Sequence, residues 1–230
     1  MIPEGASTLI SARGLYKRFQ VGEHAIEVLQ GADIEVAQGE MVAIVGPSGV
    51  GKSTLLHLLG GLDRPDAGRI RIASVNLLEL DDRALAAFRN RHIGFVFQFH
   101  HLLADFTALE NVMMPLLIRN VSSEGARLEA EALLTDVGLR DRMTHLPSEL
   151  SGGESQRVAF ARALVTEPTV ILADEPSGNL DATRSEALHD MMIALAADRG
   201  QTLVVVTHDS TLASRVDRVV RLQDGRLGPA

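Results

Sequence analysis

The chain has 230 residues, 46% of them hydrophobic but only 3% aromatic and none tryptophan. That suffices for one sizeable domain with a core built from Leu, Val, Ile and Ala. With 30 acidic against 22 basic residues the formal charge is −8, and without a basic block this argues against a nucleic-acid partner. The lack of cysteine excludes disulfides, thiolate metal sites and a cysteine nucleophile, and fits a reducing compartment.

Met1-Ile2-Pro3-Glu4-Gly5 lacks the charged and apolar regions of a secretory signal. Apolar runs such as Val112 to Ile118 fall short of a membrane span, so any membrane role is expected to pass through a partner. Strand-like segments are predicted at Thr8 to Ala12, Ala25 to Leu29 and Ala32 to Val36, joined by Gly-bearing turns. The β-branched run Met41 to Val45 predicts a buried strand, and Leu55 to Leu59 starts a helix. Gly60 to Gly68 is dense in breakers and reads as loop, Arg69 to Ala73 as strand. Asp81 to Arg91 predicts a helix with Asp81 or Asp82 at its N-terminus, and Ile93 to Phe97 a strand ending at Gln98.

From about 99 to 165 the pattern is helical, with breaks expected at Pro115 and Pro147. Ser122 or Ser123 caps a helix running to Val137, which Gly138 closes. Thr169 to Ala173 is an apolar strand, Thr183 to Arg199 a helix stopped by Gly200, Leu203 to Thr207 a buried strand, and Arg218 to Leu222 a last short one before Asp224-Gly225. Wholly apolar strands alternating with helices indicate an α/β domain with a mainly parallel sheet and a helical insertion. No internal repeat interrupts it.

Between the strand at Met41 to Val45 and the helix at Leu55 stands Gly46-Pro47-Ser48-Gly49-Val50-Gly51-Lys52-Ser53-Thr54. This is G-x-x-x-x-G-K-[ST] in the strand–loop–helix setting that a phosphate-binding loop requires. The glycines let successive N–H groups converge on an anion, and the helix N-terminus adds positive potential. Lys52 is expected to reach the β- and γ-phosphates, and Ser53 to ligate Mg²⁺. The second carrier of chemistry is Asp174-Glu175, delivered at the end of an apolar strand, where α/β sheets place their ligands. Because side chains alternate along a strand, the two carboxylates take different tasks. Asp174 is expected in the Mg²⁺ shell and Glu175 as the general base for the attacking water.

Leu150-Ser151-Gly152-Gly153-Glu154 offers a hydroxyl and two N–H groups at a helix start, a second anion site without a lysine. With these motifs together the chain resembles the nucleotide-binding subunits of ABC transporters, over nearly its whole length. The resemblance implies a P-loop NTPase (RecA-like) core at about 1–97 and 166–230, with an N-terminal antiparallel β subdomain. It also implies a helical subdomain carrying the signature at about 98–165, all within a single ATPase domain. By the same resemblance Gln98 is the glutamine that senses Mg²⁺ and the membrane partner, Ser177 to Asp181 the D-loop, and His208 the switch histidine at the γ-phosphate. Phe19 takes the place of the aromatic that stacks on adenine, where the family often has Tyr; Tyr16 is the alternative. The implied ligands are ATP and Mg²⁺. The implied assembly is a head-to-tail dimer of two copies, in which Ser151, Gly152, Gly153 and Glu154 of one close over the ATP of the other.

Gln98 to Leu103, Phe106 to Val112, His57 to Asp63 and Ser148 to Leu150 are similar to the subgroup that powers lipoprotein release from the bacterial inner membrane. That similarity implies two permease partners and a peripheral place on the cytoplasmic face of that membrane. Macrolide-type efflux and cell-division ATPases share the core motifs and are the alternative. Phe88, Phe95, Phe97, Phe99 and Phe106 concentrate the aromatics after and before Gln98. They either form a groove for a partner helix or pack the sheet against the helical insertion, with Phe99 and Phe106 expected to be the more exposed. His100-His101 lacks a third ligand nearby and is not expected to hold a metal. Ser155 stands where the subgroup usually has Arg, which is expected to remove a positive charge beside the partner's nucleotide.

Overall fold

The computed structural model describes residues 7–22 and 24–230, so Met1 to Gly5 lies outside the described residues. The chain divides into two compact units. One reaches to Arg89 and takes in Thr202–Ala230; the other is Asn90–Gln201.

The first unit begins with β1 (Thr8–Val21) and β2 (His24–Ala37), which pair antiparallel along their length. Instead of the three short strands and Gly-bearing turns expected from the sequence, Gly14 and Gly31 lie inside the strands. The register shifts between Ala12 and Leu15 and again between Leu15 and Tyr16. Each shift is a bulge that takes up one extra residue and bends the ribbon without ending it. β3 (Met41–Val45) and α1 (Lys52–Leu59) follow, then β4 (Ala67–Ile72) and β5 (Val75–Asn76). The antiparallel sheet has the order β2-β1-β4-β5. Ile70 and Ile72 are buried while Arg69 and Arg71 are exposed, the period-two pattern of a sheet with one wet face.

α2 (Asp82–His92) starts beneath Asp81, whose carboxylate accepts from the Ala84 amide at 2.7 Å, and carries the chain into the second unit. There β6 (Ile93–Val96) is followed by α3 (Ala108–Ile118), α4 (Ser123–Asp136), α5 (Gly152–Leu164), β7 (Val170–Asp174) and α6 (Ala182–Asp198). Ser122, not Ser123, caps α4. The break expected at Pro115 does not occur, because α3 runs through it. Proline in a helix interior costs about 3 kcal/mol; burial of Val112 and Leu116 on the same helix offsets that.

The chain returns to the first unit with β8 (Thr202–Val206), α7 (Ser210–Ala213), β9 (Arg218–Gln223) and β10 (Arg226–Pro229). β3 lies between β8 and β9, parallel to both, and Met41–Ile44 and Leu203–Val206 are buried. β10, absent from the sequence reading, folds back on β9 through Asp224 and Gly225, both at positive φ. An Asp-Gly pair after an apolar strand is a hairpin signal, so it was available.

Candidate functional site

In the first unit the phosphate loop leaves β3 at Val45 and enters α1 at Lys52. Lys52 is only 7% exposed, and its Nζ donates to the carbonyls of Gly46 at 2.9 Å and Pro47 at 3.0 Å. The ammonium is thus held over the loop by two neutral acceptors, which an anion outcompetes electrostatically. Gly51 precedes the helix at φ 104° and supplies no side-chain cap, and the N-terminus of a helix attracts phosphate oxygens through its amides and its positive end. A Cβ on Gly51 would run into the Val28 side chain, and one on Gly46 into the Leu222 carbonyl. The tight backing by Val28 and Leu222 is a contribution that motif spacing did not reveal.

His208 and the loop emerge at the same end of the sheet, since Ile44 pairs with Val206 and the Thr207 amide donates to the Ile44 carbonyl at 3.2 Å. Asp209, next to it, caps α7 by accepting from the Thr211 amide. Phe19 is 41% exposed and pairs with Ile26, two residues from Val28 on β2. Lys17 Nζ lies 5.1 Å from the Phe19 ring centroid, and is also held by Asp63 at 2.7 Å and the Arg64 carbonyl at 2.8 Å. Tyr16, the alternative, sits with its hydroxyl against Gly31.

In the second unit Val96 pairs with Ala173, so Gln98 and Asp174-Glu175 leave the same end of the β6–β7 pair. Glu175 adopts φ 44°, a left-handed conformation costing a non-glycine residue about 1 kcal/mol or more. The Gly178 amide closes the turn on the Glu175 carbonyl at 3.0 Å. Gln98 packs against Gly178 and shares hydrogen bonds with Asn179. Gln156, buried on α5, donates to the Phe97 carbonyl at 2.8 Å and fixes the strand end from which Gln98 projects. Sequence reasoning missed this residue because a glutamine within a helix carries no local signal.

Ser151 caps α5 in a reciprocal arrangement. Its amide and hydroxyl donate to Glu154 Oε2 at 2.8 and 2.7 Å, and the Glu154 amide donates back at 3.3 Å. Arg142 adds a contact to Glu154 Oε1 at 3.0 Å. The Ser151 amide and hydroxyl, then Arg142, pull the Glu154 carboxyl down to about 2. Gly152 adjoins Leu180 and Gly153 adjoins Arg184, so the signature lies beside the D-loop. Asp181 caps α6, accepting from the Arg184 amide at 2.9 Å. Ser155 is 3% exposed. Its side chain is inside the packing rather than displayed to a neighbour, which removes the ground for the expected charge effect at a partner's nucleotide.

The segment 99–107 is pinned from below. Arg162 donates to the carbonyls of His101 and His100, both at 2.7 Å. Fully buried Asn111 receives the Leu103 amide and donates to the carbonyls of Leu103, Phe106 and Thr107. Above these anchors Phe99 is 64% exposed and Phe106 38%, whereas Phe95 and Phe97 stack on each other at 5.6 Å. Among the described residues no group of three His, Cys, Asp or Glu side chains could hold a metal ion. Ser53 in the first unit, and Gln98 and Asp174 in the second, each carry an oxygen donor of the kind that hard cations prefer. No helix of the described residues is long and apolar enough to cross a membrane.

The ABC transporter family matches residues 29–178. A lipoprotein-releasing system ATP-binding protein LolD of Geobacter metallireducens is 55% identical over 221 residues, 96% of this chain and 98% of that protein. The protein of the same name from Porphyromonas gingivalis is 52% identical over 219 residues, 95% and 98% of the two chains. Among solved structures, the dimeric post-hydrolysis state of the ATP-binding cassette MJ0796 bound to ADP and Pi has a TM-score of 0.89. It is 38% identical, with 96% of this chain and 98% of that one covered.

Proposed function

This chain belongs to the ABC transporter family, and from that premise we propose that it is the ATP-hydrolysing subunit of a complex that releases lipoproteins from the bacterial inner membrane. The observation that carries the client is the 55% identity, over 96% of the chain, to a LolD protein. The phosphate loop, the Asp174-Glu175 pair, the signature and His208 supply a full set of parts for hydrolysis.

In this reading Lys52 exchanges its Gly46 and Pro47 carbonyls for β- and γ-phosphate oxygens, and the amides of residues 46–54 cradle the rest of the triphosphate. Phe19 stacks on the adenine. Ser53, Asp174 and Gln98 are the residues that would hold Mg²⁺, which would supply charge neutralisation at the phosphates. Glu175 takes a proton from the attacking water as its oxygen bonds to the γ-phosphorus and the bond to the β-phosphate oxygen breaks. His208 steadies the γ-phosphate.

A second copy of the chain completes the site. Ser151 and the amides of Gly152 and Gly153 of one copy face the nucleotide of the other, and loss of the γ-phosphate removes the contact that holds the pair closed. The dimeric cassette among the solved relatives supports this arrangement. Phe99 and Phe106, exposed on a segment anchored by Arg162 and Asn111, form the seat for cytoplasmic helices of two permeases, which hold the chain peripherally on the cytoplasmic face.

Co-purification from mild detergent tests the client. Recovery of a pair of lipoprotein-release permeases supports the proposal. A lone efflux permease or a division protein replaces the client while leaving the ATPase.

A further inference from the structure

Building on that reading, we propose that His189 is a positioning residue for Glu175, acting through Ser177. Glu175 sits in a strained backbone conformation, φ 44°, and such strain persists only where the surroundings over-determine it. The turn that follows is closed by the Gly178 amide on the Glu175 carbonyl. Of its residues, Pro176 is buried but lacks a donor, and Gly178 and Asn179 are exposed. Ser177 is therefore the buried polar anchor of the turn. Its hydroxyl shares a 2.7 Å hydrogen bond with His189 Nε2, and His189 is 1% exposed on α6. The Ser185 hydroxyl, one turn earlier on α6, makes a longer contact to the Ser177 carbonyl at 3.5 Å.

α6 itself is fixed at its start by Asp181, which accepts from the Arg184 amide. The Glu175 turn is thus clipped to a capped helix through one short, dry hydrogen bond. Removing either partner breaks this bond inside a buried site, and the turn shifts once it is no longer clipped to α6. A shift of about 1 Å in a reacting carboxylate costs up to about 100-fold in rate. Because neither Ser177 nor His189 belongs to the phosphate loop, the effect falls on kcat and not on ATP binding.

The test uses the full chain with Mg-ATP. His189→Leu keeps apolar bulk without the hydrogen bond, His189→Gln restores a polar nitrogen near the Nε2 position, and Ser177→Ala removes the other partner. The expected kcat falls about tenfold in His189→Leu and in Ser177→Ala. It falls no further in the double variant, returns to within about threefold of the parent in His189→Gln, and KM stays within about twofold throughout. Losses that multiply in the double variant would overturn the inference. So would a lowered unfolding midpoint with kcat intact, which assigns the pair to stability alone. An unmutated chain that hydrolyses no ATP is a different failure, since it removes the functional reading before any variant is compared.

Discussion

Asn179 Nδ2 donates to the Gln98 carbonyl at 3.1 Å, and Gln98 Nε2 donates to Asn179 Oδ1 at 3.3 Å. The residue proposed to sense Mg²⁺ is therefore tied to the D-loop that follows Glu175 through both its backbone carbonyl and its side chain. Any displacement of Gln98 is felt at Asn179 because one side-chain amide holds both the backbone carbonyl and the side-chain nitrogen of Gln98, while Gly178 leaves no spare room beside Gln98.

Asn179→Ala removes both bonds at an exposed position. Its ATPase rate is expected to fall about three- to tenfold, with the unfolding midpoint within about 2 °C of the parent, because exposed hydrogen bonds contribute little to stability. Phosphate release and a thermal melt on the same preparation check it. A rate equal to the parent would uncouple the two loops.

Glu154 supplies a pH signature. Its carboxyl is held near 2 by the Ser151 donors and Arg142, against an ordinary 4.5. A carboxyl depressed in the folded state contributes stability that is fully present above about 4.5 and is lost as pH falls towards 2. Unfolding midpoints measured across that window should fall more steeply for the parent than for Glu154→Gln. Parallel curves would show that the cap does not depend on ionisation.

Asn111→Ala removes, at a fully buried site, the side-chain amide that accepts from Leu103 and whose two N–H groups serve the carbonyls of Leu103, Phe106 and Thr107, and should destabilise the chain by about 2–4 kcal/mol, measurable by urea titration. The Phe99→Ala/Phe106→Ala double variant, at exposed positions, should leave the unfolding midpoint in place and lower permease recovery at least about fivefold. Undiminished recovery would move the docking surface elsewhere.

The phosphate loop, the strand before Asp174 and the signature were legible because each is a polar or glycine-rich motif at fixed spacing beside a strongly apolar run. What escaped was set by distant partners. Gly14 and Gly31 looked like turns because a bulge and a turn use the same residue, and only the β1–β2 pairing tells them apart. Pro115 looked like a helix end because its cost is local whereas the compensating burial is tertiary. Val28 behind Gly51, Gln156 beneath Phe97 and His189 beside Ser177 carry no motif, and each matters only through what it touches. Ser155 misled in the opposite sense, because a departure in residue type suggested a surface effect at a buried position.

The most direct measurement is steady-state phosphate release from Mg-ATP by the full chain, alongside Lys52→Ala and Glu175→Gln, with the oligomeric state followed by light scattering. The unmutated chain should hydrolyse ATP. Lys52→Ala should lose nucleotide binding by at least about 100-fold. Glu175→Gln should bind ATP, accumulate as a dimer and turn over at least about 100-fold more slowly. Undiminished turnover in Glu175→Gln, or no ATP held or split with Lys52 intact, would contradict the account.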